Sequence, residues 1–269
     1  KTSQYYRIRI MKKKIKKILS KKNKSKIVSL TAYSKNIAKI LDKHVDIVLV
    51  GDSMANVLYG HKNTHKISLE NIIQHTLSVK MGIKKSLLVV DMPKNTYNNL
   101  KSAKRNIKLL IDKTGCDAIK LESNKNNYKI IKDLVKKNIS VMGHIGFTPQ
   151  FKQKFNVEGQ TKVETLKLLK EAQLIEKAGA FAIVLECITP SAAKLITNNI
   201  SIPTIGIGSS SHCDGQILVT DDILGLSGFY PKFVKKYVYL NRIIEKAVKD
   251  YTRDVKLNKF PKKNNFLNG

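Results

Sequence analysis

Four acidic residues could act together in catalysis, because each lies at the end of a short apolar run: Asp52, Asp91, Glu122 and Glu186. A buried acid without a partner is unfavourable, so acids in such positions indicate a bound cation or a reaction. If the four side chains meet, they repel one another and are difficult to keep ionised. A divalent cation removes this conflict, and oxygen ligands alone suit Mg2+.

A lysine and a histidine accompany these acids. Lys120 lies inside the apolar run that ends at Glu122, and His144 follows a later run. A 2-oxo acid can chelate a metal through its ketone and carboxylate oxygens, and the metal then stabilises the enolate formed when a neighbouring C–H proton leaves. One carboxylate must stay off the metal to act as the base. The residue types therefore predict metal-assisted enolate chemistry.

Each of these residues also has a simpler interpretation when it is taken alone. Asp52 could cap a turn, because it follows a strand and precedes Ser53. Lys120 could form an ion pair with Glu122, and His144 could be a hydrogen-bonded histidine of the core. The combined pattern, and no single residue, favours catalysis.

Eight short apolar runs alternate with amphipathic stretches and predict the elements that position these residues. The predicted strands are residues 27–30, 47–50, 87–90, 118–121, 140–142, 182–185, 204–207 and 217–219. Strands that alternate with helices indicate a parallel sheet, and nearly continuous apolar strands indicate that both of its faces are covered. Eight of them favour an α/β fold of the (β/α)8 TIM barrel type, in which the carboxyl ends of all strands share one face.

The predicted domain organisation is simple. Residues 1–26 are a basic N-terminal extension, in which the lysine-rich stretch 12–17 is expected to be a solvated helix face. Residues 27–269 are one barrel domain that ends in a helical tail, because no linker or repeat interrupts them. Predicted helices at 100–114 and 162–178 end close to Gly115 and Gly179.

The composition argues against several classes of protein. Fifty Lys and Arg against twenty Asp and Glu give a net charge of +30, but the lysines recur along nearly the whole chain, so no specific nucleic-acid partner is expected. The longest apolar run is too short for a membrane span. Three cysteines without CxxC spacing favour a reducing, cytoplasmic location over a disulfide framework.

Ordered motifs across residues 27–261 resemble those of the ketopantoate hydroxymethyltransferase family. They include VGDS (50–53), DMP (91–93), KLE (120–122), VMGHIGFTPQ (141–150), VLEC (184–187) and IPTIGIG (202–208). The resemblance implies a Mg2+-dependent barrel of the phosphoenolpyruvate/pyruvate superfamily. It also implies transfer of a hydroxymethyl group from 5,10-methylenetetrahydrofolate to 3-methyl-2-oxobutanoate, giving 2-dehydropantoate in pantothenate biosynthesis.

The same resemblance implies roles for the matching residues. Asp52, Asp91 and Glu122 fall at metal-site positions, some of which contact the metal through water in the family. Asp52, Ser53, Asp91, Lys120 and His144 fall at substrate-binding positions, and Glu186 matches the general base. The family implies a homo-oligomer, specifically a decamer. Where the family has DLPF, this chain has Lys94 after its DMP motif.

Two other functions stay open at this point. The first is another metal–enolate barrel enzyme, a C–C lyase or a mutase, although the Cys-Gly-His loop of the lyases is not found in the sequence. The second is a non-catalytic polyanion-binding protein, which the charge of +30 favours. Acidic residues at a phosphate-binding surface would oppose that second function.

Overall fold

Eight parallel strands close into a barrel in the computed structural model, which describes residues 2–123, 127–152, 154–228 and 230–267 and the side chains from residue 9 onward. The strands pair in sequence order, and β8 pairs with β1. They are β1 (Ile27–Thr31), β2 (Ile47–Val50), β3 (Leu87–Asp91), β4 (Ala118–Glu122), β5 (Val141–Gly146), β6 (Ala182–Glu186), β7 (Thr204–Ile207) and β8 (Gly215–Leu218). The predicted (β/α)8 barrel is therefore confirmed.

Helices lie between most of the strands. They are α1 (Thr2–Leu19), α2 (Lys35–Leu41), α3 (Met54–Val57), α4 (Leu69–Lys80), α5 (Leu100–Thr114), α6 (Tyr128–Lys136), α7 (Lys162–Lys177), α8 (Pro190–Asn198), α9 (Thr220–Ile223) and α10 (Leu240–Lys256). Local chemistry sets their ends. The side chain of Asn99 accepts a hydrogen bond from the Ser102 N–H to begin α5, and Gly115 ends that helix with φ +65°.

Two apolar layers hold the barrel together. The inner layer fills the barrel with side chains from alternate strand positions, such as Leu49, Val89 and Val184. The outer layer packs the other strand faces, such as Val48 and Leu88, against the surrounding helices. Both faces of each strand are thus removed from water, which explains why the strands are nearly continuous apolar runs in the sequence.

Helix α1 packs at the amino end of the barrel, where the sequence predicted only an extension. Its Ile18 is buried in the inner apolar layer. Lys14, also on α1, is only 14% exposed and lies 2.9 Å from Asp117, so the expected solvated helix face is wrong at this lysine. Sequence periodicity could not show this, because the partner is about a hundred residues away.

Two further lysines near the end of α1 pair with aspartates at the amino ends of strands. Lys21 Nζ lies 2.7 Å from Asp46, which precedes β2. Lys22 Nζ lies 2.8 Å from Asp214, which precedes β8. With Lys14–Asp117, these contacts form the amino-end ion pairs, three lysine–aspartate contacts at the amino ends of β2, β4 and β8.

The strand predictions differ from the structure mainly at β5 and β8. Strand β5 runs on through His144 to Gly146, whereas the predicted strand ended at residue 142. A histidine and two glycines are typical of a loop, but inside a closed barrel they still pair with β6. Strand β8 begins at Gly215, two residues before the predicted start, because this glycine pairs with Ile27.

The chain divides into two compact units, residues 1–219 and 220–269. The first contains the whole barrel. The second contains α9, α10 and a short 3-10 turn, and no residue of α10 is buried. The domain boundaries predicted from the sequence stay predictions. Within the described residues, no helix has the length and apolar character needed to cross a membrane.

Candidate active site

Parallel strands carry the predicted site residues to the carboxyl end of the barrel. Asp91, Glu122 and Glu186 are the last residues of β3, β4 and β6. Strand register then brings neighbours together, because Asp91 pairs with Lys120 and Glu122 pairs with His144. The site residues predicted from the sequence therefore meet at the carboxyl end of the barrel.

Lys120 and Asp91 form a buried ion pair. Lys120 Nζ lies 2.6 Å from Asp91 Oδ1, and the other oxygen of Asp91 accepts a hydrogen bond from the backbone N–H of Asp52 at 3.1 Å. Burial by itself lowers the pKa of Lys120, but the charges of Asp91, Asp52 and Glu122 outweigh burial and raise it. Lys120 is therefore a cation that faces several acids, and its ion pair is with Asp91 and not Glu122.

Asp52 and Glu122 hold their protons more tightly than ordinary acids. Burial, followed by repulsion from Asp91, raises the pKa of Asp52 from 3.8 to about 7. Burial and repulsion from Asp52 raise the pKa of Glu122 well above its usual value. One lysine thus does not neutralise this end of the barrel, and the site is built to receive positive charge.

His144 lies between two of the acids with its ring buried. Its Nε2 is 3.2 Å from Glu186 Oε2, and its Nδ1 is 3.7 Å from Glu122 Oε1. Within the described part of the chain, neither ring nitrogen makes a well-aligned hydrogen bond. Burial and the nearby charge of Lys120 lower its pKa, so the ring is neutral at pH 7. A neutral, buried imidazole can both donate and accept, so it can bind a ligand without adding charge.

Glu186 differs from the other acids because its side chain is 19% exposed. Its position depends on Gly146, which has φ +92°, and whose Cβ, if present, would be 2.2 Å from the Glu186 carbonyl oxygen. The same carbonyl accepts a hydrogen bond from the Phe147 N–H at 2.9 Å. The glycine is needed so that the chain after β5 can pass close to Glu186.

Ser53 lies at the rim of the site, half-buried. Its Oγ is 2.8 Å from the hydroxyl of Tyr33, which follows β1. Gly51 makes room for this arrangement, since a Cβ there would be 2.8 Å from Ser53 Oγ.

Gln150 belongs to the site, although the sequence analysis did not single it out. Its side-chain amide donates a hydrogen bond to Asp52 Oδ2 at 2.8 Å, and its backbone N–H donates one to Glu122 Oε2 at 2.9 Å. The only sequence signal was its place as the last residue of the VMGHIGFTPQ motif. A neutral amide gave no reason to expect contact with two acids from other strands.

The donor set fits Mg2+ better than a transition metal. Carboxylate oxygens of Asp52, Asp91 and Glu122 are the hard ligands that Mg2+ prefers. No three His, Cys, Asp or Glu side chains among the described residues are arranged as a complete ligand set. Mg2+ usually retains several waters and takes only one or two carboxylates. The site therefore suits Mg2+ held by one or two acids together with water.

The sequence is similar to that of known enzymes over nearly its whole length. The family model described as ketopantoate hydroxymethyltransferase matches residues 12–263. A 3-methyl-2-oxobutanoate hydroxymethyltransferase of Pelagibacter ubique (strain HTCC1062) is 53% identical over 253 residues, covering 94% of this chain and 98% of that protein. One from Thermococcus kodakarensis is 42% identical over 256 residues, covering 93% of this chain and 90% of that protein.

Solved structures with the same fold are more distant in sequence. A 2,3-dimethylmalate lyase of the PEP mutase/isocitrate lyase superfamily aligns with TM-score 0.60 and 14% identity over 93% of this chain and 87% of its own. A phosphonopyruvate hydrolase, in complex with oxalate and Mg2+, aligns with TM-score 0.60 and 11% identity over 91% of this chain and 88% of its own. At this identity the likenesses show the fold alone, and that fold agrees with the predicted (β/α)8 barrel.

Proposed function

Because the chain belongs to the ketopantoate hydroxymethyltransferase family, whose members are transferases of pantothenate biosynthesis, we propose that it transfers a hydroxymethyl group from 5,10-methylenetetrahydrofolate to 3-methyl-2-oxobutanoate. The product is 2-dehydropantoate, and water supplies the hydroxyl oxygen. The observation that carries the proposal is the under-neutralised acidic cluster around Lys120 at the carboxyl end of the barrel. Such a cluster suits a reaction in which negative charge develops on a bound 2-oxo acid.

The metal site is assigned to Asp52, Asp91 and Glu122, one or two of which would bind Mg2+ directly and the rest through water. Their buried oxygens support this assignment, and the raised pKa values of Asp52 and Glu122 indicate an unmet demand for positive charge. Mg2+ held there would supply a positive charge at the 2-oxo oxygen, where the negative charge of the enolate develops.

Substrate binding is assigned to Lys120, Ser53 and His144, together with Asp52 and Asp91. Lys120 uses one of its three N–H groups on Asp91, so two can reach the carboxylate of the oxo acid. The half-buried hydroxyl of Ser53 can donate to the same carboxylate. His144 is neutral, so it can bind substrate without adding charge.

Glu186 is assigned as the general base that removes the proton from C3 of the oxo acid. Asp52, Asp91 and Glu122 each accept a hydrogen bond from a neighbouring group, whereas Glu186 lies against the neutral His144 and is partly open to solvent. It is therefore the acid that is best placed to meet the substrate as a base. The carbon that loses the proton then forms the new bond to the methylene carbon carried by the folate. The two C–N bonds of that methylene carbon break, water supplies its hydroxyl group, and the C3 proton and the remaining water proton leave on the nitrogens of tetrahydrofolate.

A turnover assay tests the whole proposal. The protein is offered 3-methyl-2-oxobutanoate and 5,10-methylenetetrahydrofolate with and without Mg2+, and formation of 2-dehydropantoate is followed. The expected result is turnover that depends on both substrates and on the metal. Absence of product under all conditions, with folded protein, would reject the proposal.

The same assay separates the other candidate functions. A C–C lyase or mutase would convert cleavable 2-hydroxy or phosphono acids without folate, and its resemblance here is in the fold alone. A polyanion-binding protein would bind nucleic acid tightly at physiological salt and show no Mg2+-dependent turnover. A cytoplasmic location and assembly as a homo-oligomer, a decamer by resemblance, stay predictions, for which fractionation and sedimentation are the tests.

A further inference from the structure

Gln150 connects acids that come from two different strands. Besides its bonds to Asp52 and Glu122, its side-chain amide donates to the Met92 carbonyl oxygen at 3.0 Å. Both side-chain N–H groups and the backbone N–H are thus used on acceptors in a region where Gln150 is itself buried. One residue in the loop after β5 therefore sets the positions of Asp52 after β2 and of Glu122 at the end of β4.

Tyr97 holds the amide of Gln150 by its oxygen. Its hydroxyl donates to Gln150 Oε1 at 2.6 Å, and its ring packs edge to face on Phe151 with centroids 6.2 Å apart. Asp52 Oδ2 and the Met92 carbonyl oxygen can only accept, so the amide N–H groups of Gln150 face them and the hydroxyl of Tyr97 donates to the remaining amide oxygen. The bond from Tyr97 therefore holds the amide in the orientation that its other two contacts require.

An amide has an advantage over a lysine at this position. A second ammonium beside Asp52 and Glu122 would neutralise them and compete with Mg2+. An amide orients the two carboxylates by hydrogen bonds but adds no charge. Gln150 bonds to Oδ2 of Asp52 and Oε2 of Glu122, so its own hydrogen bonds leave the other oxygen of each acid for the cation or its water.

We propose that Gln150 and Tyr97 are positioning residues for the magnesium site, with Gln150 holding Asp52 and Glu122 and Tyr97 holding the amide of Gln150 in place. The inference rests on the proposed function, since it requires Mg2+ at these acids. Neither residue needs to touch substrate or metal. Their effect should therefore appear in metal affinity, and not only in the rate.

The first test measures Mg2+ binding to Tyr97→Phe by isothermal titration calorimetry, with folded protein and without substrate. Loss of hydrogen-bonding groups behind metal ligands typically weakens affinity about 10–100-fold, and we expect about tenfold for this variant. Thr76→Val is the matched control, because it also removes one buried hydroxyl, which donates to the Ile72 carbonyl within α4. The control should bind Mg2+ as the wild type does.

The second test is a double-mutant cycle with Gln150→Leu, which keeps the backbone N–H but removes the amide. If Tyr97 acts through Gln150, Tyr97→Phe should weaken Mg2+ binding in the wild type and have little further effect in Gln150→Leu. A purely structural tyrosine would weaken binding in both backgrounds or in neither. If Gln150→Leu does not fold, the Mg2+ affinity of Tyr97→Phe alone still tests the proposal.

The outcomes separate this inference from the proposed function. Wild-type protein that binds Mg2+ and turns over, with Tyr97→Phe binding Mg2+ equally well, would overturn the inference alone. An equal tenfold loss on adding Tyr97→Phe to Gln150→Leu would also overturn it. Wild-type protein that neither binds Mg2+ nor turns over would overturn both.

Discussion

The two ends of the barrel bury similar numbers of acids but treat them differently. At the amino end, Asp46, Asp117 and Asp214 each have a lysine within 3 Å, supplied by α1 or the turn after it. At the carboxyl end, the acids of four strands gather around Lys120, which forms its ion pair with Asp91. The three acids at the amino end are thus each paired with a lysine, whereas the acids at the carboxyl end share one lysine.

The pKa shifts follow this difference. Burial opposes ionisation of Asp214, but hydrogen bonds from Lys22, Thr204 and Asn23 outweigh it and lower the pKa of this acid. At Asp52 burial and repulsion dominate and raise the pKa to about 7. An acid with its own cation stabilises the fold, whereas an acid without one indicates a site that awaits a ligand. The number of acids alone would not distinguish the two ends.

The largest expected effect is at the carboxyl end, from Glu186→Gln. The amide has nearly the same shape but cannot take a proton, so kcat should fall by about 10²–10⁴-fold while the oxo acid still binds. Exchange of the C3 proton with deuterated solvent, followed by NMR, should be abolished. Exchange at the wild-type rate would remove Glu186 from the role of base.

The next largest effect is a loss of stability caused by a substitution at the amino end. Lys22→Met leaves the buried Asp214 without its cation and should lower the free energy of unfolding by about 3 kcal/mol. Activity per folded molecule should not change. Lys246→Met, which removes an exposed ion pair with Asp250, is the control and should leave stability nearly unchanged. Equal effects of both variants in denaturant unfolding would contradict the comparison.

Removing an acid at the carboxyl end should stabilise the metal-free protein, whereas Lys22→Met destabilises it. Asp52→Asn relieves repulsion in the metal-free protein, so its free energy of unfolding at pH 8 should rise by about 1 kcal/mol or more. Saturating Mg2+ should stabilise the wild type, by about 2.7 kcal/mol at a hundred times Kd, and the variant much less. Thermal unfolding with and without Mg2+ measures both. A less stable metal-free variant would show that Asp52 is a structural acid.

The last prediction is a pH dependence of opposite sign at the two ends. The folded-state pKa of Asp52 is above its ordinary value of 3.8, so its ionised form destabilises the fold, fully above pH 7 and progressively less down to pH 4. The pKa of Asp214 is lowered, so its stabilisation is present above pH 3.8 and is lost only in stronger acid. Between pH 8 and 5 the metal-free wild type should gain more stability than Asp52→Asn. Parallel curves would contradict this assignment.

The sequence predicted most of what depends on regular spacing. The strands β2 and β7 match their predicted limits, and Asp91, Glu122 and Glu186 follow apolar runs because a parallel barrel needs apolar strands and places its site where they end. The family motifs then singled out the same acids. These features are local, so neighbouring residues carry enough information to predict them.

Contacts between distant residues were decided only by the tertiary structure. The pairing of Lys22 with Asp214 spans 192 residues, and that of Gln150 with Asp52 spans 98. A lysine in a basic stretch is expected to be solvated, and a neutral glutamine after a strand gives no sign of an acidic partner. Barrel closure places a buried carboxylate beside each of them. Burial determines how strongly such groups interact, and burial is a property of the whole fold that no single stretch of sequence contains.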